Sequence, residues 1–218
     1  MKKSDAINAS FQPDSFVFAD TKAVEEIIAR YPEGRDHSAI MPLLDLAQVQ
    51  IGKEGPFGDF PTGGGWITRA AMDKVAEICK VAPIKVYEVA TFYSMYNLEP
   101  VGKYLVQICT TTPCWLCNSD AVVKACQDHL GIGIGETTED GYFTLMEVEC
   151  LGACTNAPMI QMNDLFYEDL TYDSMIEVLK SLQKDEIPPH GPQNGRRAAM
   201  ALTGPTSLQE QAKKAGAL

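Results

Sequence analysis

Long apolar runs are missing from these 218 residues. Although 45% are hydrophobic, charged or turn-forming side chains interrupt every stretch well short of the roughly 18 to 20 residues a membrane span requires. Clustered positive charge is missing too. With 18 Lys+Arg against 29 Asp+Glu the formal net charge is -11, which argues against a surface that displaces counterions from nucleic-acid phosphates. Histidine is scarce: His37, His129 and His190 lie far apart, with no partner at triad or metal spacing, so neither a hydrolase nor a histidine-zinc site is expected. No G-x-G-x-x-G or P-loop is present, and GIGIG at 131–135 follows a helix rather than a strand, so a nucleotide or flavin site is not expected in this chain. The start, MKKSDAINAS, is read as neither a secretory signal nor an Arg-rich transit peptide. Disulfides are accordingly not expected.

What is present is enough apolar residue to bury the core of one or two domains, and an uneven distribution of charge and thiol. Residues 101–184 hold 4 Lys+Arg against 12 Asp+Glu, together with six of the seven cysteines.

The first hundred residues read as helices. Asp20 caps an apolar stripe of Val24, Ile27, Ile28 and Tyr31, closed by Pro32 and Gly34. A second helix runs from near Ser38 to Gly52, with Pro42 in its first turn, where a missing amide matters least. Residues 53–65, with five glycines and two prolines, read as a loop. Thr68 caps a third helix, and Pro83 opens a fourth. Four short helices with compact links predict a small bundle over 13–99.

At Pro100 the pattern changes. KYLVQI at 103–108 reads as a buried strand. A helix capped by Ser119, a strand over 144–149, a hairpin turned at Asn163-Asp164 and a helix capped by Thr171 follow. The order β, α, β, β, β, α, with an unassigned short element around 131–143, predicts one α/β domain over 100–184. The fold class is therefore α+β. Residues 185–218 read as an irregular tail, and their composition suits a segment ordered by a partner.

The cysteines follow the strands. Cys109 and Cys114 form a C-x4-C pair after one strand, and Cys150 and Cys154 a C-x3-C pair after another. Four thiolates suit structural zinc or an iron-sulfur cluster, and loops of this length with Gly152 favour the larger cluster without excluding zinc. Two other sets compete. Cys114-x-x-Cys117 ahead of a helix is a thioredoxin-type redox pair, but leaves three cysteines without a role. Cys109, Cys114, Cys117 and Cys150 match plant-type ferredoxin spacing, although such clusters occupy one long loop. Cys79 and Cys126 lie on apolar helix faces as core thiols. Glu147 and Glu149 read as a solvated strand face, or as charge that lowers a nearby reduction potential. Trp115 and Leu116 suit core packing equally with a shield or a partner contact.

CTTTPCWL at 109–116, ECLGACTNAPM at 149–159, EVATFYSMY at 88–96, YPEGR at 31–35 and GPQNGR at 191–196 together resemble the thioredoxin-like 2Fe-2S subunits of NADH:ubiquinone oxidoreductase, respiratory complex I. The resemblance runs from about Pro13 to Arg196. It implies a helical bundle followed by a thioredoxin-like 2Fe-2S domain, with Cys109, Cys114, Cys150 and Cys154 as ligands of one cluster, and so selects Cys154 over Cys117. It also implies an electron-transfer role in a proton-translocating oxidoreductase, with single electrons exchanged with FMN. FMN and NADH would belong to a partner flavoprotein subunit beside other iron-sulfur subunits of the peripheral arm. That arm would lie on the cytoplasmic face of a bacterial inner membrane or the matrix face of the mitochondrial one. The alternatives are a diaphorase subunit of an NAD-reducing hydrogenase or NAD-linked formate dehydrogenase, and a structural zinc-binding module.

Overall fold

The computed structural model describes residues 13–54, 65–204 and 206–216. It divides at the start of the first strand into two compact units, 1–104 and 105–218. Most of the loop expected over 53–65 lies outside the described residues.

The first unit is helical. Asp20 accepts the Ala23 amide at 2.9 Å and opens α1, Thr21–Ile28. A 3-10 turn, Asp36–Ala39, leads into α2, Ile40–Glu54, with Pro42 in its first turn. Thr68 accepts the Ala71 amide and opens α3, Arg69–Cys79, and Pro83 opens α4, Pro83–Phe92. The apolar stripes meet in one core, with Leu43, Leu44 and Ala47 of α2, Met72 and Val75 of α3, and Val86 of α4 all fully buried. Each buried leucine of this kind contributes about 1.5 to 3 kcal/mol. Helix α2 runs through Gly52 instead of stopping there, and Gly65 lies close against the backbone of this stretch. A Cβ on Gly65 would stand 2.2 Å from the Gln48 carbonyl oxygen and 2.7 Å from the Gly52 nitrogen.

The second unit is a five-stranded sheet in the order β2-β1-β3-β4-β5, with two longer helices. The strands are β1 (Tyr104–Cys109), β2 (Phe143–Val148), β3 (Ile160–Met162), β4 (Leu165–Glu168) and β5 (Gly191–Pro192). β1 pairs antiparallel with β3, β3 with β4 through the turn at Asn163, and β4 parallel with β5. Asn163 takes φ +50 and locks the register, its Oδ1 accepting the Leu105 amide at 2.8 Å. Between β1 and β2 lie a short α5, Thr112–Leu116, and α6, Ser119–Leu130. α7, Tyr172–Leu182, packs on α6 and opens with a Thr171–Ser174 capping box.

Several local details differ from the sequence reading. Ser119 does not cap α6. The cap is Asn118 at φ +70, and Ser119 is the first helical residue, fully buried with its hydroxyl unpartnered. The unassigned stretch around 131–143 pairs beside β2, with Thr137 bridged to Thr144 and Gly135 donating to the Leu145 carbonyl. The segment after α7 supplies β5, and a short α8, Gln209–Lys214, follows.

Candidate metal centre

The site stands where β1 ends and where the chain loops between β2 and β3. Register with β3 fixes Cys109 at the last position of β1, its amide 3.3 Å from the Met159 carbonyl. Thr111 precedes α5 in an extended conformation, and the single turn that follows places Cys114 back toward Cys109, both thiols being buried. After β2, Gly152 at φ +88 bends the loop so that Cys150 and Cys154 lie with their sulfurs 3.5 Å apart. A left-handed backbone there is natural only for glycine.

The thiols thus form two pairs of unequal exposure. Cys109 and Cys114 pack with Met159, and Leu151, Ala153, Ala157 and Phe166 line the same apolar pocket. Cys150 and Cys154 are exposed. Burial pushes the Cys114 thiol up to about 12, with a further rise from hydrogen bonding to Cys109 and from the charge of Cys109 and Cys154. Burial acts on Cys109 in the same direction, yet its thiol is held below the ordinary value. The Thr111 hydroxyl and amide, the Leu151 amide and the Cys114 thiol all favour its anion. Cys154 is raised, first by its hydrogen bond to Cys150, then by burial and the negative charge of Cys150 and Cys109. The inner and outer pairs therefore sense one another, and an amide of the outer loop reaches an inner sulfur. Amides directed at sulfur stabilise a thiolate-bound centre.

Among the described residues, no three His, Cys, Asp or Glu side chains converge on a point that a single ion could occupy. Two thiol pairs, the inner one in an apolar pocket with amides turned toward its sulfurs, suit a dinuclear cluster. The residues present fit a 2Fe-2S group.

The structure places the remaining candidate residues as follows. Cys79 and Cys126 are buried, as core thiols should be. Cys117 is exposed beyond α5, its amide bonded to the Pro113 carbonyl. Trp115 and Leu116 are 58% and 71% exposed, so neither belongs to the core. Glu147 is more than a solvated face, because it accepts the Thr110 hydroxyl at 2.5 Å and ties the first cysteine loop to β2. Sequence reasoning expected loop amides near Thr110 to Thr112 and Leu151 to Ala153 to face the sulfurs, and the Thr111 and Leu151 amides do so; the part of the Thr111 hydroxyl was missed.

The class is that of iron-sulfur proteins of thioredoxin-like build. Residues 24–183 match the family model described as thioredoxin-like 2Fe-2S ferredoxin, and the chain belongs to that family. It is 49% identical over 203 residues to the mitochondrial NADH dehydrogenase (ubiquinone) flavoprotein 2 of Dictyostelium discoideum, covering 93% of this chain and 77% of that one. To a subunit of the NADH-quinone oxidoreductase of Rickettsia conorii it is 52% identical over 161 residues, covering 74% and 89%. Among solved structures, an NAD+-reducing nickel-iron hydrogenase in the H2-reduced state aligns with TM-score 0.48 and 17% identity. That alignment covers 55% of this chain and 20% of the hydrogenase chain, so this chain spans about a fifth of its length.

Proposed function

We propose that the chain is the electron-transfer subunit of NADH:ubiquinone oxidoreductase, in which Cys109, Cys114, Cys150 and Cys154 hold one 2Fe-2S cluster. The observation that carries this reading is the pairing of the four thiols, two buried after β1 and two exposed after β2, with mutual electrostatic influence across the pairs. Homologues at about half identity that are named as subunits of that oxidoreductase support it. The hydrogenase likeness, at 17% identity, gives no reason to prefer the diaphorase alternative.

When bound, such a cluster accepts and returns one electron at a time without proton transfer or bond exchange. The protein's own tasks are then to bind, shield and tune. Met159, Leu151 and Phe166 exclude water from the inner pair. The Thr111 hydroxyl and the Leu151 amide favour negative charge on Cys109. No general acid, base or nucleophile is called for.

The electron donor in this reading is the FMN of a neighbouring flavoprotein subunit that also binds NADH, with other iron-sulfur subunits of the peripheral arm nearby. No helix among the described residues is long and apolar enough to cross a membrane, in keeping with a peripheral position on the cytoplasmic or matrix face. The helices before residue 100 would form a small bundle over 13–99, followed by the cluster domain over 100–184 and the tail over 185–218.

Iron and acid-labile sulfide analysis of the anaerobically purified chain tests the cofactor. Two irons and two sulfides per chain are expected, with a paramagnetic signal on reduction. Zinc without colour would refute it. Cys154→Ser should abolish the cluster and Cys117→Ser should leave it intact; the reverse pattern would overturn the ligand set.

A further inference from the structure

The chain beyond α7 returns to the outer cysteine loop and grips it. Gly191 and Pro192 pair with Tyr167 and Glu168, and the Gln193 amide donates to the Glu168 carbonyl at 2.9 Å. Asn194 Oδ1 accepts the Arg196 amide at 3.0 Å, and Gly195 turns the backbone at φ +85. The Arg196 guanidinium then meets Asp169, with Nε donating to Oδ2 at 2.6 Å and Nη2 to Oδ1 at 2.5 Å. Their side chains are only 14% and 10% exposed. The same Nη2 donates to the carbonyl of Thr155 at 2.6 Å. Thr155 directly follows Cys154.

The neighbouring residue is held as firmly. Asn156 is buried, its amide donates to the Ala153 carbonyl at 2.9 Å, and its own carbonyl accepts the Asp169 amide at 2.8 Å. Its side-chain amide donates to the Glu168 carboxylate and, at 3.1 Å, to the Ala198 carbonyl. Asp169 and Ala198 take φ +54 and +48, conformations that non-glycine residues keep only where surrounding bonds over-determine them. Within the chain these bonds tie residues 191–198 to β4 and to the loop after β2.

We infer that Arg196 is a positioning residue for the metal centre: by joining Asp169 to the Thr155 carbonyl, it fixes the backbone that carries Cys154 and so sets the outer thiol pair. The inference rests on the reading of Cys154 as a ligand. Guanidinium suits the task because its planar fork can serve a carboxylate with two parallel bonds and still donate elsewhere. Lysine keeps the charge and loses the fork. The largely buried carboxylate of Asp169 makes loss of the arginine destabilising in itself, so a fall in stability alone would not separate positioning from general support.

The test uses the full chain, purified anaerobically, as wild type, Arg196→Gln, Arg196→Lys, Cys154→Ser and Val178→Ala. Val178 lies in the buried face of α7 and serves as a stability control. Arg196→Gln should release iron to a chelator about tenfold faster or more, the scale on which outer partners of metal ligands act. It should also displace the g-values of the reduced cluster. Arg196→Lys should fall between it and wild type, whereas Val178→Ala should lower the melting temperature and leave the spectrum unchanged. If Arg196→Gln will not fold, Asp169→Asn, which weakens the fork while keeping the arginine, should show a milder form of both effects. A wild-type spectrum and release rate in the arginine variants, or the same changes in Val178→Ala, would overturn the inference. Retention of the cluster in Cys154→Ser would instead refute the ligand reading beneath it.

Discussion

The Thr111 hydroxyl lies 3.3 Å from the sulfur of Cys109. When Cys109 is a metal-bound thiolate, the hydroxyl is the donor, and a donor favours the more negatively charged form of the centre.

Thr111→Val should therefore lower the reduction potential, and Thr111→Ser should restore it. A shift of about 30 to 60 mV is expected, because a fraction of a charge-assisted hydrogen bond amounts to roughly 1 kcal/mol and about 59 mV is tenfold for one electron. Potentiometric titration followed by the paramagnetic signal measures it. An unchanged potential would show that the hydroxyl does not act on the sulfur.

Two glycines should fail for different reasons. A Cβ at Gly152 meets nothing within 4 Å, so Gly152→Ala costs only its left-handed backbone, about 1 to 2 kcal/mol. Gly65→Ala adds a clash 2.2 Å from the Gln48 carbonyl and should cost more than the other. Denaturant unfolding of the two variants ranks them, and equal losses would contradict the account.

Thiol reactivity should separate Cys117 from Cys126. Burial pushes the Cys126 thiol up to about 12 from an ordinary 9.0, so at a pH of about 8 almost none is thiolate, the form that alkylates. Exposed Cys117 should label quickly in the cluster-loaded chain and Cys126 only on unfolding, as peptide mapping would read. The sign for stability follows. Burial favours the neutral thiol, so this contribution is full below about pH 9 and is lost as pH rises from 9 toward 12.

Asn163 supplies both a left-handed turn and the bond to the Leu105 amide. Asn163→Gly keeps the turn and loses the bond, at a cost of about 1 to 2 kcal/mol, while Asn163→Ala loses both and should be worse. Equal melting temperatures for the two variants would contradict that division.

What could be read from the sequence depended on how local the cause was. Asp20, Thr68 and Thr171 cap helices through their own side chains, Pro83 opens α4, and Asn163 makes the hairpin turn. Each of these works within a few residues. Ser119 looked like a cap by type, yet the left-handed Asn118 takes that place, and no pattern of residue types distinguishes the two. α5 has five residues, too few to show periodicity. β5 has two, and it exists because β4 offers an edge. Spacing located all four cysteines at strand ends but could not choose between Cys117 and Cys154. The structure adds the 3.5 Å approach of Cys150 and Cys154, and the choice of Cys154 rests on the ligand set proposed above. Arg196 stood out in the sequence only as the end of GPQNGR, and its contacts could not be read there, since its partners lie 27 and 41 positions earlier.

The unequal depth of the two thiol pairs gives damage a direction. Before metal is bound, an oxidant diffusing in from solvent meets Cys150 and Cys154 first, already 3.5 Å apart, while Cys109 and Cys114 stay behind an apolar wall. With the proposed ligand set, aerobic handling would thus spoil the site from its outer rim, leaving chains with two intact inner thiols and no capacity to be loaded.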